Sequence, residues 1–477
     1  MNLLPRRQVL WPALLVLAVS GCASVAPEAG FSAVSEKVEA RTGASPVWTR
    51  TAESRAEADA AAARLLETRI GMDQAVALAF LTSPALQAEL ETLGIARADL
   101  LTAILPPSPF FEITRPTPGN TLGLEVTAPL LDVLFWPQRA QAGQANMAAA
   151  QARAAAILAD TAAKVRLAYI DYVSARQALD LYRQAESAGE AAQLAAEALF
   201  DAGNIARVDY DRQRQFAAQM TAERMRAEAQ IAPAWERLVA ILGLTQAQTE
   251  QLQLVSRLPA PPDEALDTER LIAAAMEDSL QVAAAEAAVK QVAASRGVRN
   301  VEALIGELEL RADLARSGGS WSDEAYRLGF ALPVDLGVAG RQRVDSEMRG
   351  ALNTLEQARL DSLAEIRAGA QTVEAARALA LFHRDVSLPV SADVFDGVLR
   401  DFNAMQIGMF ELLQSRRDRV EVGRGYIDAV TDYWRARAEL ERHVRVGDFL
   451  TDASEMEEDL PPADEPETSQ PHEGHDH

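Results

Sequence analysis

Among 477 residues there is one cysteine, and aromatic side chains make up only 5% of the chain. A lone cysteine excludes an internal disulfide and a thiolate zinc cluster. Scarce aromatics beside long alanine tracts starve an ordinary globular core of large fillers and suit helices packed closely side by side. Positive charge is also short: the formal net charge is −23, which argues against nucleic acid as a partner. No phosphate-cradling Gly loop, Gly-x-Ser-x-Gly elbow or His-Glu-x-x-His occurs, so the sequence is not that of an enzyme with one of these machineries. No cofactor is called for. What remains is length with 49% hydrophobic content, too much for one compact helical domain and enough for an elongated assembly.

Arg6 and Arg7 precede an apolar stretch from Val9 to Val19 that is too short for a permanent membrane helix, so residues 1–21 read as a cleaved signal peptide. The stretch ends in Val19-Ser20-Gly21-Cys22, which resembles the bacterial lipobox and makes Cys22 the expected lipid-attachment residue. An ordinary secretory signal with Cys22 as a bystander is the alternative. Ala23, where enteric lipoproteins retained at the inner membrane commonly carry Asp, implies by the same resemblance the outer membrane. Residues 22–70 form the anchor and a tether, and Pro27, Gly30, Gly43 and Pro46 predict extended chain up to about residue 50.

Beyond the tether one plan occurs twice, over residues 71–258 and 267–447, with a Pro-rich linker at 259–266. The first copy opens on a helix whose apolar stripe is Ala75, Leu78, Ala79, Leu86, Leu90, Leu93 and Ile95, ending at Pro106-Pro107-Ser108-Pro109. Two β segments follow. A proline-free run from Gln138 to Asp201 predicts a rod of about 95 Å. The chain turns at Gly203-Asn204 and returns through Tyr210, Phe216, Met220 and Met225 to Leu244. The second copy repeats the order: a helix from about Asp267 to Val298, two β segments ending at Leu332-Pro333, a helical run to Asp401 kinked at Pro389, and a return helix from about Gln406 to Val446.

The β segments alternate at period two. Leu122, Leu124, Val126 and Ala128 oppose Thr121, Gly123, Glu125 and Thr127. Leu304, Leu308, Leu310, Ala312 and Leu314 oppose Ile305, Glu307, Glu309, Arg311 and Asp313. Tyr326, Leu328, Phe330 and Leu332 oppose Arg327, Gly329 and Ala331. The remaining segment, Phe110 to Arg115, is short and hemmed by prolines. Such alternation fits a membrane barrel with a wet lumen, and it fits a soluble half-buried sheet equally well. Four strands cannot close in lipid, so the barrel reading makes oligomerisation compulsory. Three copies supply twelve strands, and two would give a narrow barrel filled by its own side chains.

The duplicated plan, the run Leu93-Gly94-Ile95-Ala96-Arg97-Ala98-Asp99, and the run from Met405 to Gln414 together resemble the TolC-type outer-membrane efflux family, over about Gly71 to Val446. The resemblance implies a mainly α fold with a small β part, three chains forming an α-barrel below a twelve-stranded β-barrel, and a channel conducting passively to the exterior. It implies a homotrimer that works with a periplasmic adaptor and an inner-membrane pump, embedded in outer-membrane lipid. Asp209 and Glu411 align with acidic rings that close the inner end of such channels, while Gln414 stands where some members carry a second acid. The plainer reading is that both acids cap or solvate helix ends.

Residues 448–477 form an acidic tail without Lys or Arg, expected to stay solvated. It gathers His472, His475 and His477 beside carboxylates, donors that suit transient Cu or Zn binding; a ligand-free polar tail is the alternative. Channels of copper, silver and cobalt-zinc-cadmium efflux systems occur in the family, so heavy-metal ions are the favoured cargo, with drugs or other small molecules as the other option. His383 and His443 fall within helical pattern, with packing roles expected. The runner-up for the whole chain is a periplasmic lipoprotein scaffold of coiled coils without a pore.

Overall fold

A computed structural model describes residues 30–115, 122–317 and 320–444. The signal segment, Cys22, Thr121 and the tail with His472, His475 and His477 lie outside the described residues.

The stretch predicted as extended up to about residue 50 instead carries a helix, α1 (Phe31–Thr42), and a second helix, α2 (Ala52–Leu66), follows it before residue 70. Val34, Val38 and Thr42 recur at a spacing of four and are all buried. That spacing makes one apolar helical stripe, which overrides the loop-like flanks. Gly43 takes a left-handed φ of 74° to end α1, and Thr51 and Ser54 cap the start of α2 reciprocally.

The opening helix of the first repeat is two helices, α3 (Met72–Thr82) and α4 (Pro84–Ile104). Pro84 forces Ser83 into an extended conformation, with ψ 114°, and so breaks the rod. The predicted stripe is buried from Ala75 to Leu93, whereas Ile95 lies 64% exposed. Ile95 follows Leu93 by two residues, about 200° around the helix, and so faces the other way. Strands β1 (Phe110–Thr114) and β2 (Leu122–Pro129) and a short helix α5 (Leu130–Leu134) follow. Helix α6 (Trp136–Asp201) has 66 residues and a length of about 99 Å. Alanines such as Ala154, Ala155, Ala162 and Ala163 are buried along it, allowing neighbours to approach closely. Gly203, with φ 74°, turns the chain into α7 (Arg207–Leu242), and α8 (Gln246–Gln251) closes the half.

The second half follows the same order. Its opening helix again divides, into α9 (Thr268–Glu277) and α10 (Leu280–Leu304). Here no proline marks the break. Ser279 caps α10 by accepting from the Val282 N–H at 3.3 Å, and its hydroxyl also meets that of Ser362 at 3.1 Å. Leu304 therefore belongs to a helix and not to the strand predicted to contain it. Strands β3 (Glu307–Ser317) and β4 (Ser320–Ala331) lead to α11 (Val338–Phe382). The kink expected at Pro389 takes the form of one π-helical turn, His383–Ser387, before α12 (Leu388–Asn403). A proline lacks an N–H and clashes with the carbonyl four residues back, and widening the turn relieves both. Helix α13 (Met409–Leu440) returns, shorter at both ends than the span predicted from Gln406 to Val446.

The linker is strapped to these helices: the Trp434 indole donates to the Pro259 carbonyl at 2.8 Å, and Arg377 donates to that of Asp263 at 2.8 Å. The largest core joins α3, α4, α6, α7, α11 and α13. Within it Arg166, 2% exposed, reaches Glu441 at 2.9 Å and Asp73 at 2.9 Å. It also donates to the Thr42 carbonyl at 2.9 Å, docking the end of α1. Glu441 in turn accepts from Arg437 at 2.9 Å.

Next to this network burial, together with the cations Arg442 and Arg41, pushes the His443 imidazole down to about 4. Its Nε2 lies 3.2 Å from Glu365, and near neutral pH the ring beside that carboxylate is neutral. Between pH ~6.5 and ~4 the unfolded chain binds a proton at this residue that the folded chain refuses, so stability falls as the pH drops through that window. The expected contribution is up to about 3 kcal/mol. Urea unfolding of wild type and His443→Gln across this range checks it: the variant should show the flatter pH dependence, and equal slopes would contradict the assignment.

Candidate functional site: a two-faced sheet and the helical turns

The four strands form one antiparallel sheet in the order β1-β2-β3-β4. Its central pairing, β2 with β3, joins the two halves of the repeat. The register aligns side chains of like character across strands. Phe111 pairs with Val126 and Ile113 with Leu124. Val126 pairs with Ala312, and Ala128 with Leu310. Ala312 pairs in turn with Tyr326, and Leu310 with Leu328. These residues share one face, because side chains directly opposite each other in a sheet point the same way.

The other face carries charge. Glu112 lies opposite Glu125, Glu125 opposite Asp313, Thr127 opposite Arg311, and Arg311 opposite Arg327. Arg311 sits 2.8 Å from Glu309 and 3.5 Å from Glu125, and Arg327 is 2.6 Å from Asp313. Alternation therefore forecast the faces correctly, with Phe110 as an aromatic on the charged side. The apolar face is exposed along its edge strands: Phe111, Ile113, Leu328 and Phe330 are each at least 60% exposed. The outer edges of β1 and β4 have no partner strand among the described residues. β3 and β4 run 11 and 12 residues, whereas β1 has five, as its flanking prolines forecast.

At the far end of the helices lie the turns between α6 and α7 and between α12 and α13. Phe200 stacks on Tyr210 at 5.4 Å, with Arg207 over both rings. Asp209 sits in the first turn of α7, 3.3 Å from Arg212, and Glu411 sits in the first turn of α13. Arg212 also covers the Phe410 ring at 4.9 Å. The two acids named from sequence thus belong to adjoining turns linked through Arg212. Both stand at helix N-termini, where the backbone dipole favours negative charge. Gln414 donates to Asp418 at 2.8 Å.

A residue that sequence reading passed over lies just inside these turns. Gln213 is fully buried on the face of α7 that carries Phe216, Ala217 and Met220, and neither end of its amide has a partner among the described residues. Phe216 and Met220 cluster there with Ala185 of α6 and Leu413 of α13, and Arg417 covers the Phe216 ring at 5.3 Å. A polar residue on an otherwise apolar stripe was the available signal.

Residues 115–244 match the family model described as outer membrane efflux protein. No curated protein matches the chain by sequence. Among solved structures the chain is similar to a membrane protein from Pseudomonas aeruginosa, with 17% identity and a TM-score of 0.65 over 84% of this chain and 97% of that one. It is similar to the Campylobacter jejuni CmeC outer membrane channel, with 11% identity and a TM-score of 0.63 over 84% and 88%. The outer membrane protein VceC from Vibrio cholerae gives 12% identity and a TM-score of 0.65 over 77% and 94%. At such identities the likeness is one of fold.

A buried amide without partners destabilises the packing around it, and an apolar residue of similar shape removes that cost. Gln213→Leu is expected to stabilise the α7–α13 contact by about 1 kcal/mol and to slow hydrogen exchange at the N-terminal turns of both helices. Unchanged or faster exchange there would show that the amide is satisfied.

Proposed function

We propose that this chain, whose residues 115–244 match the outer membrane efflux protein model and whose fold is similar to that of TolC-type channels, is a transport protein and not an enzyme, the outer-membrane duct of a tripartite efflux system. Three copies join their sheets edge to edge into a twelve-stranded barrel whose apolar face meets lipid and whose charged face lines water. The observation that carries this reading is the exposed apolar face of a sheet with two open edges. A scaffold confined to water would leave Ile113, Leu328 and Phe330 solvated to no purpose.

Below the barrel the helices continue as a tunnel. Leu379, Phe382, Val386, Val390 and Val394 form an exposed apolar stripe along α11 and α12, spaced for contact with a neighbouring subunit. Cys22 carries the lipid that holds the mature N-terminus at the membrane. An inner-membrane pump, joined to the helix ends by a periplasmic adaptor, supplies the energy, since the duct itself only conducts. Asp209 and Glu411, repeated three times around the axis, form acidic rings at the tunnel's inner end that favour cations.

Heavy-metal ions are the cargo this reading favours. No group of His, Cys, Asp and Glu that could hold a metal occurs among the described residues, so support comes from His472, His475 and His477 in the tail. A strain deleted for this chain should lose copper or zinc tolerance more than drug tolerance. The reverse order would assign the cargo to drugs.

Single-channel recording of the purified lipidated protein in planar bilayers tests the duct directly. Discrete cation-selective steps are expected, and the double variant Asp209→Asn with Glu411→Gln should reduce the selectivity while conductance persists. A protein that inserts no steps at any concentration would favour the scaffold.

A further inference from the structure

All four strands meet the helices at one end of the sheet. The register sets Phe110 opposite Thr127, Pro129 opposite Glu309, and Glu307 opposite Ala331. Just beyond these positions the chain exposes apolar side chains in both halves: Leu105, Val133 and Leu134 in the first, Leu332, Val334 and Leu336 in the second. Val334 is 104% exposed, so its side chain touches almost nothing in the chain. Leu332 and Val334 also continue the even-numbered series Tyr326, Leu328, Phe330 that forms the apolar face of β4.

The second of these junctions is built against its own conformational preference. Leu336 has a φ of 51°, one of two non-glycine residues with positive φ among the described residues. A branched side chain adopts that region only when its surroundings enforce it. Asp335 accepts from the Gly337 N–H at 3.2 Å and the Ala339 N–H at 2.8 Å. Arg341 donates to the Leu336 carbonyl at 3.2 Å and the Gly337 carbonyl at 3.3 Å. Gly337, itself left-handed, lies so close to the Ala303 carbonyl that a Cβ would collide with it. The turn is thus clamped from both sides while Val334 and Leu336 are left in the open.

The strands supply a reason for holding them there. β1 has five residues, about 17 Å along the strand and about 13 Å of height at a tilt of ~40°, less than the ~25 Å apolar band of an outer-membrane barrel. We infer that the junction residues Leu105, Val133, Leu134, Leu332, Val334 and Leu336 form an apolar collar that dips into the periplasmic leaflet and extends the apolar band below the sheet. The inference rests on the reading of the sheet as a barrel wall. Lipid, and not a second copy, is its occupant, because the collar continues the strand face that meets the acyl chains.

The test uses the full lipidated chain in phosphatidylethanolamine–phosphatidylglycerol vesicles, with an environment-sensitive fluorophore at Val334→Cys or at Phe330→Cys. Wild type, whose one cysteine is Cys22, supplies the background. Both sites are read against aqueous iodide and against lipids bearing a nitroxide at a shallow or a deep position. The collar predicts that Val334→Cys is quenched most by the shallow lipid and loses iodide quenching, while Phe330→Cys is quenched most by the deep lipid. Iodide quenching at Val334→Cys with lipid quenching at Phe330→Cys overturns the collar alone. Protection of Val334→Cys from iodide and both lipids assigns the surface to a neighbouring subunit and overturns it as well. Iodide quenching at both sites overturns the barrel reading from which the collar follows.

Discussion

The unpaired backbone along the outer edges of β1 and β4 is the constraint on which the rest of the structure depends. In water those groups would be hydrated, and an open edge would cost little. In hydrocarbon each unsatisfied N–H or C=O costs several kcal/mol, so a sheet with an exposed apolar face and two open edges has no stable place as a single copy. In the proposed duct symmetric repetition removes the edges, and an open lumen takes three copies, since two would close a barrel filled by its own side chains. The long helices gain meaning from the same closure. A single 66-residue rod encloses nothing, whereas rods hung beneath a closed ring enclose a tunnel.

The sheet also explains why the chain is duplicated. Its central ladder pairs a strand of each half, so neither half can build the two-faced wall alone. Glu125 of the first half and Arg311 of the second, diagonal neighbours on that ladder, lie 3.5 Å apart. The core below repeats the partnership, with Arg166 of the first half set against Glu441 of the second at 2.9 Å. Removing Glu441 would take a carboxylate from two buried guanidinium groups, those of Arg166 and Arg437. The halves are therefore bound to each other by charge as well as by apolar packing.

Much of this was legible in the residues because period two and period 3.6 are local signals. Glu309, Arg311 and Asp313 declared the charged face of β3, and the proline-free run after Gln138 declared the rod. Other features depend on partners far away in sequence. Helix α1 is held by α6, a contact that Pro27 and Pro46 gave no hint of. The break before α10 lacks a proline and is fixed by a serine pair formed across to Ser362. Ile95 was read into an apolar stripe that had already turned away from the core. Of the site, Asp209 and Glu411 come through family likeness, while Gln213 shows in the sequence only as a polar break in the stripe of Phe216, Ala217 and Met220, and its unpartnered amide shows only in the packing.

Edge closure is measured most directly by disulfide cross-linking between engineered cysteines on the outer edges of β1 and β4 in membranes, followed by denaturing electrophoresis. The account predicts a ladder of one, two and three chains that ends at the trimer. A monomer band alone, or a ladder that continues past three, would contradict it.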